Sequence, residues 1–446
     1  MAKRLFGTDG IRGVAGQPPL DPATVMALGM ALGADLVRHE TAGKPVLLGM
    51  DTRESGPAIA AQLAAGLARR GVPISFAGVV TTPGVAYLTR TGDFAAGVMI
   101  SASHNPFADN GIKVFARTGF KLPDAEEHEI EEEIFRLLPY IGDDGDAAPP
   151  EVGYPVRRYL DFLLSTLAGS LGGMRVVLDC GNGAAFALAP SLFREAGAEV
   201  TAICNEPNGR NINLDCGALH LEGLRQAVLE SGADAGVAFD GDADRALLIA
   251  PSGRIVDGDA ILLIAARRLQ ADGHLPGNMI VSTVMSNLGL EKALAAHGIG
   301  MLRTAVGDKY VLEEMIRRGA PLGGEQSGHV IFSEYATTGD GMLTALKVLE
   351  TARRQNVTLD ELSAEMVVYP QILVNVRVKE RRPLEQMPRV TGEIAACEAE
   401  LNGSGRVLVR FSGTEPLLRV MVEGPDQGLI EALAGRMADA IRAEMG

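Results

Sequence analysis

The fold is decided by a short stretch that reads Gly97-Val98-Met99-Ile100-Ser101-Ala102-Ser103-His104-Asn105-Pro106. It begins as an apolar run, which is typical of a buried strand, and it ends at a proline, which cannot continue a hydrogen-bonded ladder. The strand therefore delivers Ser103 and His104 to its carboxyl end, where open α/β sheets bind their ligands. An ordinary exit from a strand into a loop explains the same pattern, so the interpretation depends on the rest of the chain.

Strands and helices alternate on both sides of this stretch, which predicts an α/β protein with mixed or parallel sheets. A run rich in Gly, Asp, Ala and Pro at residues 141–153 marks the first domain boundary. From residue 369 the pattern changes to an alternating strand, a helix, two more strands and a last helix, which is typical of a small α+β domain. We therefore predict three similar α/β domains with mixed sheets and a C-terminal α+β domain, with boundaries at residues 1–150, 151–253, 254–368 and 369–446.

Composition and charge exclude several classes of function. A hydrophobic content of 47% with 22% charged residues is typical of a folded globular protein. The formal charge of −15, without a compensating basic stripe, argues against nucleic acid as a partner. The sequence contains no run of the ~18 apolar residues that a membrane helix needs and no signal peptide core, and its four cysteines lack Cys-x-x-Cys spacing. We expect reduced, mostly structural thiols in a cytoplasmic protein that binds no membrane.

A second polar loop follows another apolar strand and contains Asp240, Asp242 and Asp244. In an extended segment, a two-residue period points all three carboxylates the same way. Converging carboxylates repel one another unless a cation neutralises them, and ligation by oxygen alone suits Mg²⁺. A plain polar turn is the alternative, whereas an EF-hand is excluded because Arg245 occupies its glycine position. Beside a metal, Arg245 is suited to bind a phosphate group.

Two glycine-rich loops carry groups that suit a phosphorylated sugar. The first, at residues 6–13, presents Arg12 to an anion or forms a simple turn. In the second, at residues 324–329, Glu325 and Ser327 suit sugar hydroxyls. His329 in the same loop is a candidate general acid or base, although a lone loop histidine is more often a structural hydrogen-bonding group.

A third loop, near the C-terminus, lies between two predicted strands and suits a phosphate. A turn with glycine and hydroxyl groups aims backbone N–H groups and side-chain donors at an anion, and neighbouring arginines supply charge. The candidate residues are Arg410, Ser412, Gly413, Thr414 and Arg419. A hairpin turn with surface arginines is the alternative. The sequence contains no Walker A motif and no G-x-S-x-G elbow, which weakens a kinase or serine hydrolase interpretation.

Together these motifs resemble the α-D-phosphohexomutase superfamily, and within it the bacterial phosphoglucosamine mutase family. Five motifs occur in the family's order, at residues 7–13 (GTDGIRG), 101–106 (SASHNP), 240–245 (DGDADR), 324–329 (GEQSGH) and 410–416 (RFSGTEP). Asp9 and Gln326 resemble the glucosamine branch more than the phosphomannomutase/phosphoglucomutase branch. Ala218 and Leu219 depart from the Ser-Thr pair that is usual there, at positions that are not catalytic in the family.

The resemblance implies four domains arranged around a central cleft. It also implies that Ser103 is the phosphoserine and that Asp240, Asp242, Asp244 and the Ser103 phosphate hold Mg²⁺. The implied reaction converts glucosamine 6-phosphate to glucosamine 1-phosphate through a sugar 1,6-bisphosphate, which is the intermediate and activator. The product feeds UDP-N-acetylglucosamine and cell-wall synthesis. The partner is thus a small amino-sugar phosphate, and the family suggests a homodimer through the first domain.

The expected catalytic residues are Ser103, His104, Lys113, His329 and Arg12. Phosphoryl transfer mainly requires charge neutralisation, which Mg²⁺, Lys113 and Arg245 would supply. The sequence does not rank His329, Lys113 and Arg12 as proton carriers. Three alternatives stay open: a phosphomannomutase/phosphoglucomutase with the same fold, a phosphatase whose nucleophile is Asp240 and which leaves Ser103 idle, and a sugar-phosphate sensor without turnover.

Overall fold

A computed structural model of the chain describes residues 5–7, 9–38, 43–142, 148–411 and 416–445. The chain divides into two compact units, of which the first comprises Met1–Met285 and Ile299–Ala364 and the second comprises Ser286–Gly298 and Glu365–Gly446. Three mixed sheets belong to the first unit and one antiparallel sheet belongs to the second. The predicted α/β class with a C-terminal domain is confirmed. Among the described residues, no helix is long and apolar enough to cross a membrane.

The first sheet contains the strand that precedes Ser103. Its strands are β1 (Phe6–Gly7), β2 (Gly10–Val14), β3 (Val46–Met50), β4 (Ile74–Val79), β5 (Ala96–Ile100) and β6 (Asp109–Ala116). The helices of this part of the chain are α1 (Pro22–Arg38), α2 (Gly56–Ala68), α3 (Thr82–Thr91) and α4 (Asp124–Leu137). The strand order is β1-β2-β6-β5-β3-β4, with β3, β4 and β5 parallel. All five residues of β5 are buried, as its continuous apolar run predicts.

The second sheet leads into the Asp240 loop. Its strands are β7 (Arg175–Asp179), β8 (Glu199–Ile203), β9 (Ala235–Phe239), β10 (Ala246–Ile249) and β11 (Ile255–Val256). The accompanying helices are α5 (Arg157–Ser165), α6 (Leu188–Glu195) and α7 (Glu222–Ser231). The strand order is β11-β10-β9-β7-β8, and β9 pairs antiparallel with β10. The Asp240 loop is therefore the turn of a buried hairpin.

The third sheet carries the loop with His329. Its strands are β12 (Met279–Thr283), β13 (Gly300–Thr304), β14 (Leu322–Gly324) and β15 (Val330–Phe332), in the order β13-β12-β14-β15. The helices of the first unit that follow β11 are α8 (Gly258–Ala271), α10 (Asp308–Arg318), α11 (Gly341–Gln355) and α12 (Leu359–Ser363). Because β14 and β15 form an antiparallel pair, residues 325–329 are held at both ends.

The second unit has a three-stranded antiparallel sheet in the order β16-β18-β17. Its elements are α9 (Leu288–Ala296), β16 (Gln371–Arg377), α13 (Pro388–Leu401), β17 (Arg406–Phe411), β18 (Leu417–Glu423) and α14 (Gln427–Met445). In β16 the side chain of Val376 is buried, whereas its neighbours Asn375 and Arg377 are exposed, as the alternating sequence predicts. Val376 contributes to a core that includes Leu418 and Met437.

Candidate active site

The Ser103 loop is turned sharply at the end of β5. Ser103 has a φ of 54°, a left-handed conformation that is rare for a residue with a side chain and that is often found at functional sites. The Ser103 N–H donates to Ser101 Oγ at 2.9 Å, and Ser101 Oγ donates to Asp51 Oδ2 at 2.6 Å. This conformation directs Ser103 Oγ to Asp240 Oδ2, to which it donates at 2.5 Å. His104 Nδ1 lies 3.3 Å from the same hydroxyl oxygen.

A buried arginine holds the carbonyl groups of this loop. Arg53 is 1% exposed, and its Nε donates to Asp51 Oδ2 at 2.9 Å. The rest of the guanidinium donates to the backbone oxygens of Ser103 (2.9 Å), Asn105 (2.8 Å), Asp109 (3.0 Å) and Pro106. Burial raises the pKa of Asp51, and the Arg53 guanidinium opposes that rise. The planar donor fork of Arg53 thus fixes the loop that presents Ser103.

Asp240, Asp242 and Asp244 converge, as predicted. Their carboxylate oxygens lie within 4.8 Å of one another, and all three residues are buried. The expected reason was wrong, however, because the segment is a tight turn rather than an extended strand. Ala243 has a φ of 54°, and the N–H of Ala243 donates to the Asp240 carbonyl oxygen at 3.0 Å.

The arrangement of these carboxylates fits a divalent cation. Asp242 Oδ1 is buried and accepts no hydrogen bond from the described part of the chain. Burial raises the pKa of Asp240 well above its ordinary value, and the charges of Asp244 and Asp242 add to that rise. Three carboxylates that repel one another, one of which accepts the Ser103 hydroxyl, are the oxygen ligands that Mg²⁺ prefers. Ser103 Oγ marks where an oxygen of a Ser103 phosphate would approach.

Lys113 places a buried ammonium group against the same cluster. Its Nζ lies 2.8 Å from Asp242 Oδ2, 3.2 Å from Asp244 Oδ2 and 3.0 Å from Asp9 Oδ2. Burial alone would lower the pKa of Lys113, but these carboxylates, Asp242 first, raise it well above its ordinary value. Lys113 is therefore a fixed positive charge at this end of the site.

Asp9 connects the Lys113 contacts to two further cations. Arg12 Nη2 and Lys121 Nζ each lie 2.5 Å from an Asp9 oxygen. Lys121 also lies 2.5 Å from Asp308 Oδ2, at the start of α10. The loops of the first and third sheets are thus joined by one ion network, whose groups are half-buried except for the buried Lys113.

Asp9, Arg12 and Asp308 contribute to the lining of a cavity of about 430 Å³. Its lining combines residues from all three sheets of the first unit: Leu5, Gly7, Asp9, Gly10, Arg12, His104, Asp244, Arg245, Val306, Gly307, Asp308, Glu325 and His329. Glu325 Oε1 accepts the N–H of Gly307 at 3.1 Å. Ser327 lies exposed, outside this lining. Burial lowers the pKa of His104 to about 4, with the Arg245 and Arg12 charges adding to the effect, so its imidazole is neutral at pH 7.

His329 is buried rather than exposed in its loop. Its Nε2 accepts the N–H of Gly339 at 3.0 Å, and its Nδ1 lies 3.6 Å from Asp244 Oδ1. Arg245 Nε lies 3.7 Å from the same Asp244 oxygen, and the Arg245 N–H donates to Asp240 Oδ1 at 3.2 Å. Among the described residues only Nε2 is hydrogen-bonded, while Nδ1 lies beside Asp244 just beyond hydrogen-bond distance, and an acid–base role for His329 stays a prediction.

The C-terminal phosphate loop is described only in part. Arg410 and Arg419 are cross-strand partners on β17 and β18, so their side chains share one face of the sheet. Burial lowers the pKa of Arg410, and the Arg419 charge adds to that effect. Ser412, Gly413 and Thr414 lie outside the described residues.

Sequence reasoning missed several residues that build the site. Asp51, Arg53 and Thr82 follow β3 and β4, the two strands parallel to β5, and Thr82 Oγ1 donates to Asp242 Oδ2 at 2.5 Å. The rule that ligands bind beyond the carboxyl ends of parallel strands could have found these three. Lys121 and Asp308 carried no such signal, because they meet only once two sheets have come together.

The chain matches one protein family along nearly its whole length. The matches are described as phosphoglucomutase/phosphomannomutase α/β/α domain I (residues 3–140), domain II (157–253), domain III (257–369) and the C-terminal domain (373–440). The chain is 61% identical to a phosphoglucosamine mutase of Solibacter usitatus, with 100% of both chains covered. It is 51% identical to a phosphoglucosamine mutase of Koribacter versatilis, covering 100% of this chain and 98% of the relative.

Solved structures share the fold. A phosphoglucomutase/phosphomannomutase family protein from Burkholderia thailandensis superposes with a TM-score of 0.79 at 23% identity, covering 98% of this chain and 97% of the other. An Aspergillus fumigatus N-acetylphosphoglucosamine mutase, solved with GlcNAc-6P and magnesium, superposes with a TM-score of 0.65 at 18% identity, covering 99% and 96%.

Proposed function

The chain belongs to the phosphoglucomutase/phosphomannomutase family, and from that membership we propose that it has phosphoglucosamine mutase activity. It is an isomerase that interconverts glucosamine 6-phosphate and glucosamine 1-phosphate. The choice of an amino sugar is supported by relatives of 46–61% identity that carry this activity in their names. The binding partner is a sugar phosphate. Assembly as a homodimer and a role in cell-wall precursor synthesis stay predictions.

The observation that carries the proposal is the position of the Ser103 hydroxyl. It lies 2.5 Å from Asp240 Oδ2, in a loop that Arg53 and Ser101 hold in a left-handed turn. A serine fixed beside converging carboxylates is placed to carry a phosphoryl group that a metal can also contact. Phosphorylated Ser103 would give its phosphoryl group to O1 of the sugar. The sugar bisphosphate would then reorient in the site, and Ser103 would take the phosphoryl group from O6.

The chain supplies several charges around Ser103. Asp240, Asp242 and Asp244 would hold Mg²⁺, which when bound offsets the negative charge on the transferred phosphoryl group. Lys113 and Arg245 supply fixed positive charge from the protein itself. Among the candidate proton carriers, Lys113 pairs with the buried carboxylate of Asp242, and Arg12 pairs with the half-buried carboxylate of Asp9. The neutral imidazole of His104 lies 3.3 Å from the Ser103 hydroxyl.

The second phosphate of the bisphosphate needs its own site. Arg410 and Arg419 lie side by side on the C-terminal sheet and are suited to a phosphate dianion. Because the bisphosphate must reorient between the two transfer steps, this site has to accept the phosphate from either end of the sugar. Water must be excluded meanwhile, since it would otherwise take the phosphoryl group and turn the mutase into a phosphatase.

A turnover assay tests the substrate. The enzyme is given glucosamine, glucose and mannose 6-phosphates separately, with Mg²⁺ and a trace of sugar 1,6-bisphosphate as activator. We expect glucosamine 1-phosphate to form with the highest kcat/KM, and no product without Mg²⁺. Faster turnover of glucose or mannose phosphate would move the chain to the phosphoglucomutase/phosphomannomutase branch, and binding without turnover would indicate a sensor.

A further inference from the structure

A cluster of thiols lies at the carboxyl end of the second sheet, away from the cavity lining. Of the four cysteines, all free, Cys180 directly follows β7 and Cys204 directly follows β8. Cys216 precedes the short turn Gly217–Leu219. The Sγ atoms of Cys204 and Cys216 and a carboxylate oxygen of Asp179 lie within 4.8 Å of one another. The proposed reaction uses none of these groups.

The two sulfur atoms differ in their surroundings. Cys204 is partly exposed and has a left-handed backbone with a φ of 48°, whereas Cys216 is 2% exposed. A hydrogen bond from the Cys216 thiol lowers the pKa of Cys204, and the same bond raises the pKa of Cys216. A partly exposed cysteine with a lowered pKa, beside a buried partner thiol, is the arrangement found in cysteines that respond to oxidants.

The cluster is connected to the Ser103 loop by hydrogen bonds. Asp179 accepts the N–H groups of Gly181 and Gly217, both at 2.9 Å. The Gly181 carbonyl accepts the N–H of Asn213 at 2.8 Å. Asn213 Nδ2 in turn donates to the Ser103 carbonyl oxygen at 2.9 Å. The turn that carries Cys216 is therefore held to the same framework as the reacting serine.

This turn has little room to move independently. A Cβ on Gly217 would lie 2.6 Å from the Phe239 carbonyl oxygen and 3.2 Å from the Gly181 Cα. A disulfide requires an S–S distance of about 2.05 Å. Closing the gap between Cys204 and Cys216 draws together two segments that are packed closely, and Asn213 connects this region to the backbone of Ser103.

We propose that Cys204 and Cys216 are a reversible oxidation site, at which a hydroperoxide joins the two thiols and thereby slows phosphoryl transfer from Ser103. The Cys204 thiolate attacks the peroxide, so that the O–O bond breaks, an alcohol or water leaves and Cys204 becomes a sulfenic acid. Cys216 sulfur then attacks the Cys204 sulfur, the S–OH bond breaks, and hydroxide leaves as water with the Cys216 proton. The two thiols lose two electrons and the peroxide gains them.

A soft metal is the other ligand that two thiols and a carboxylate suit. We favour oxidation, because both Asp179 oxygens already accept backbone N–H groups and so serve the turn. The crosslink itself is independent of the proposed function, whereas the loss of turnover rests on it. The experiment therefore measures the crosslink and the loss of turnover separately.

The full-length enzyme is treated with hydrogen peroxide and digested without reduction, and disulfide-linked peptides are identified by mass spectrometry. We expect one Cys204–Cys216 link that dithiothreitol removes. The link should be absent in Cys216→Ser and in Cys216→Ala, with folding checked by circular dichroism, and present in the control Cys397→Ser. A link from Cys204 to Cys180, or conversion of Cys204 to sulfinic acid without a link, would overturn the proposal.

Turnover is followed in the same samples. We expect peroxide to reduce kcat by about tenfold to a hundredfold, with recovery in dithiothreitol and protection in Cys216→Ser, since small displacements of reacting groups have effects of this size. A complete crosslink with unchanged kcat would refute the coupling to Ser103. If the reduced enzyme turned over no sugar phosphate at all, the proposed function would fail, while the peptide map would still decide the oxidation site.

Discussion

Replacing Arg53 by methionine removes the cation that holds the Ser103 loop. The side chain is of similar length, but it cannot donate to the carbonyl groups of Ser103, Asn105, Pro106 and Asp109 or pair with Asp51. Asp51 would keep the Ser101 hydroxyl and the Arg53 backbone N–H as donors but lose its counter-charge. Both side chains of the ion pair are 0% exposed, so solvent cannot replace the lost contacts.

The burial of this ion pair sets the expected loss in the free energy of unfolding. Removing one partner of a buried ion pair typically destabilises a protein by about 3–5 kcal/mol, because an uncompensated charge is left behind. The double variant Asp51→Asn/Arg53→Met leaves no such charge, so its loss of stability should be smaller than the sum of the two single losses. A coupling energy of about 1–3 kcal/mol is typical of residues in direct contact. We expect kcat of the folded Arg53→Met variant to fall as well, because the loop that Arg53 holds presents the nucleophile.

Two measurements check this prediction. Urea unfolding is followed by circular dichroism, since the chain has no Trp for fluorescence, and kcat is measured under conditions where each variant is folded. The matched control is Arg157→Met, which removes an arginine whose partners Asp161 and Glu195 lie at the surface and should change little. If Arg53→Met matched this control in both stability and kcat, the argument that Arg53 fixes the loop would be refuted.

Three further predictions concern other parts of the first unit. Burial raises the pKa of Asp340 from 3.8 to about 6, so the folded state holds an extra proton between those values. The contribution of this group to stability should fall by about 3 kcal/mol as pH rises from about 4 to 6, and the difference in unfolding free energy between wild type and Asp340→Asn should change with pH by that amount. Lys121→Met removes a cation shared by two half-buried carboxylates, Asp9 and Asp308; Asp9 keeps its other cations, so we expect a fall in kcat/KM of about tenfold, and unchanged kcat/KM would contradict the ion network. A Cβ on Gly241 would lie 2.4 Å from the Ser103 carbonyl oxygen, so Gly241→Ala should reduce turnover, whereas the control Gly223→Ala, which meets nothing within 4 Å, should be neutral or stabilising by about 0.5–1 kcal/mol.

Local sequence patterns predicted the elements of the fold well. The apolar run before Ser103 became the fully buried β5, and the alternation after residue 369 became β16, with Val376 buried between two exposed residues. These patterns work because burial depends on periodicity within one element. The bounds of the four domains stay a prediction, since compactness alone separates only two units, one of which includes the distant segment Ser286–Gly298.

The candidate site was predictable where one loop supplies its groups. Ser103 and the three aspartates follow strands directly, and their polar pattern interrupts apolar runs. The reason given for the aspartates failed, because a left-handed residue such as Ala243 carries no signal in sequence when it is not a glycine. Contacts between distant loops were not predictable: Lys121 and Asp308 are 187 residues apart and meet only in the folded unit. For His329 the sequence left a structural and an acid–base role open, and its burial and its hydrogen bond from Gly339 arise only in the folded chain.

The central claim is that Ser103 carries the phosphoryl group that moves. The most direct test is to load the enzyme with ³²P from a labelled sugar bisphosphate, locate the label by peptide mapping, and then add unlabelled glucosamine 6-phosphate. We predict that the label lies on the Ser103 peptide, that it leaves on the sugar, and that Ser103→Ala neither takes up label nor turns over. Label on Asp240, or labelled free phosphate released by an active Ser103→Ala enzyme, would contradict the account and indicate an aspartate-dependent phosphatase.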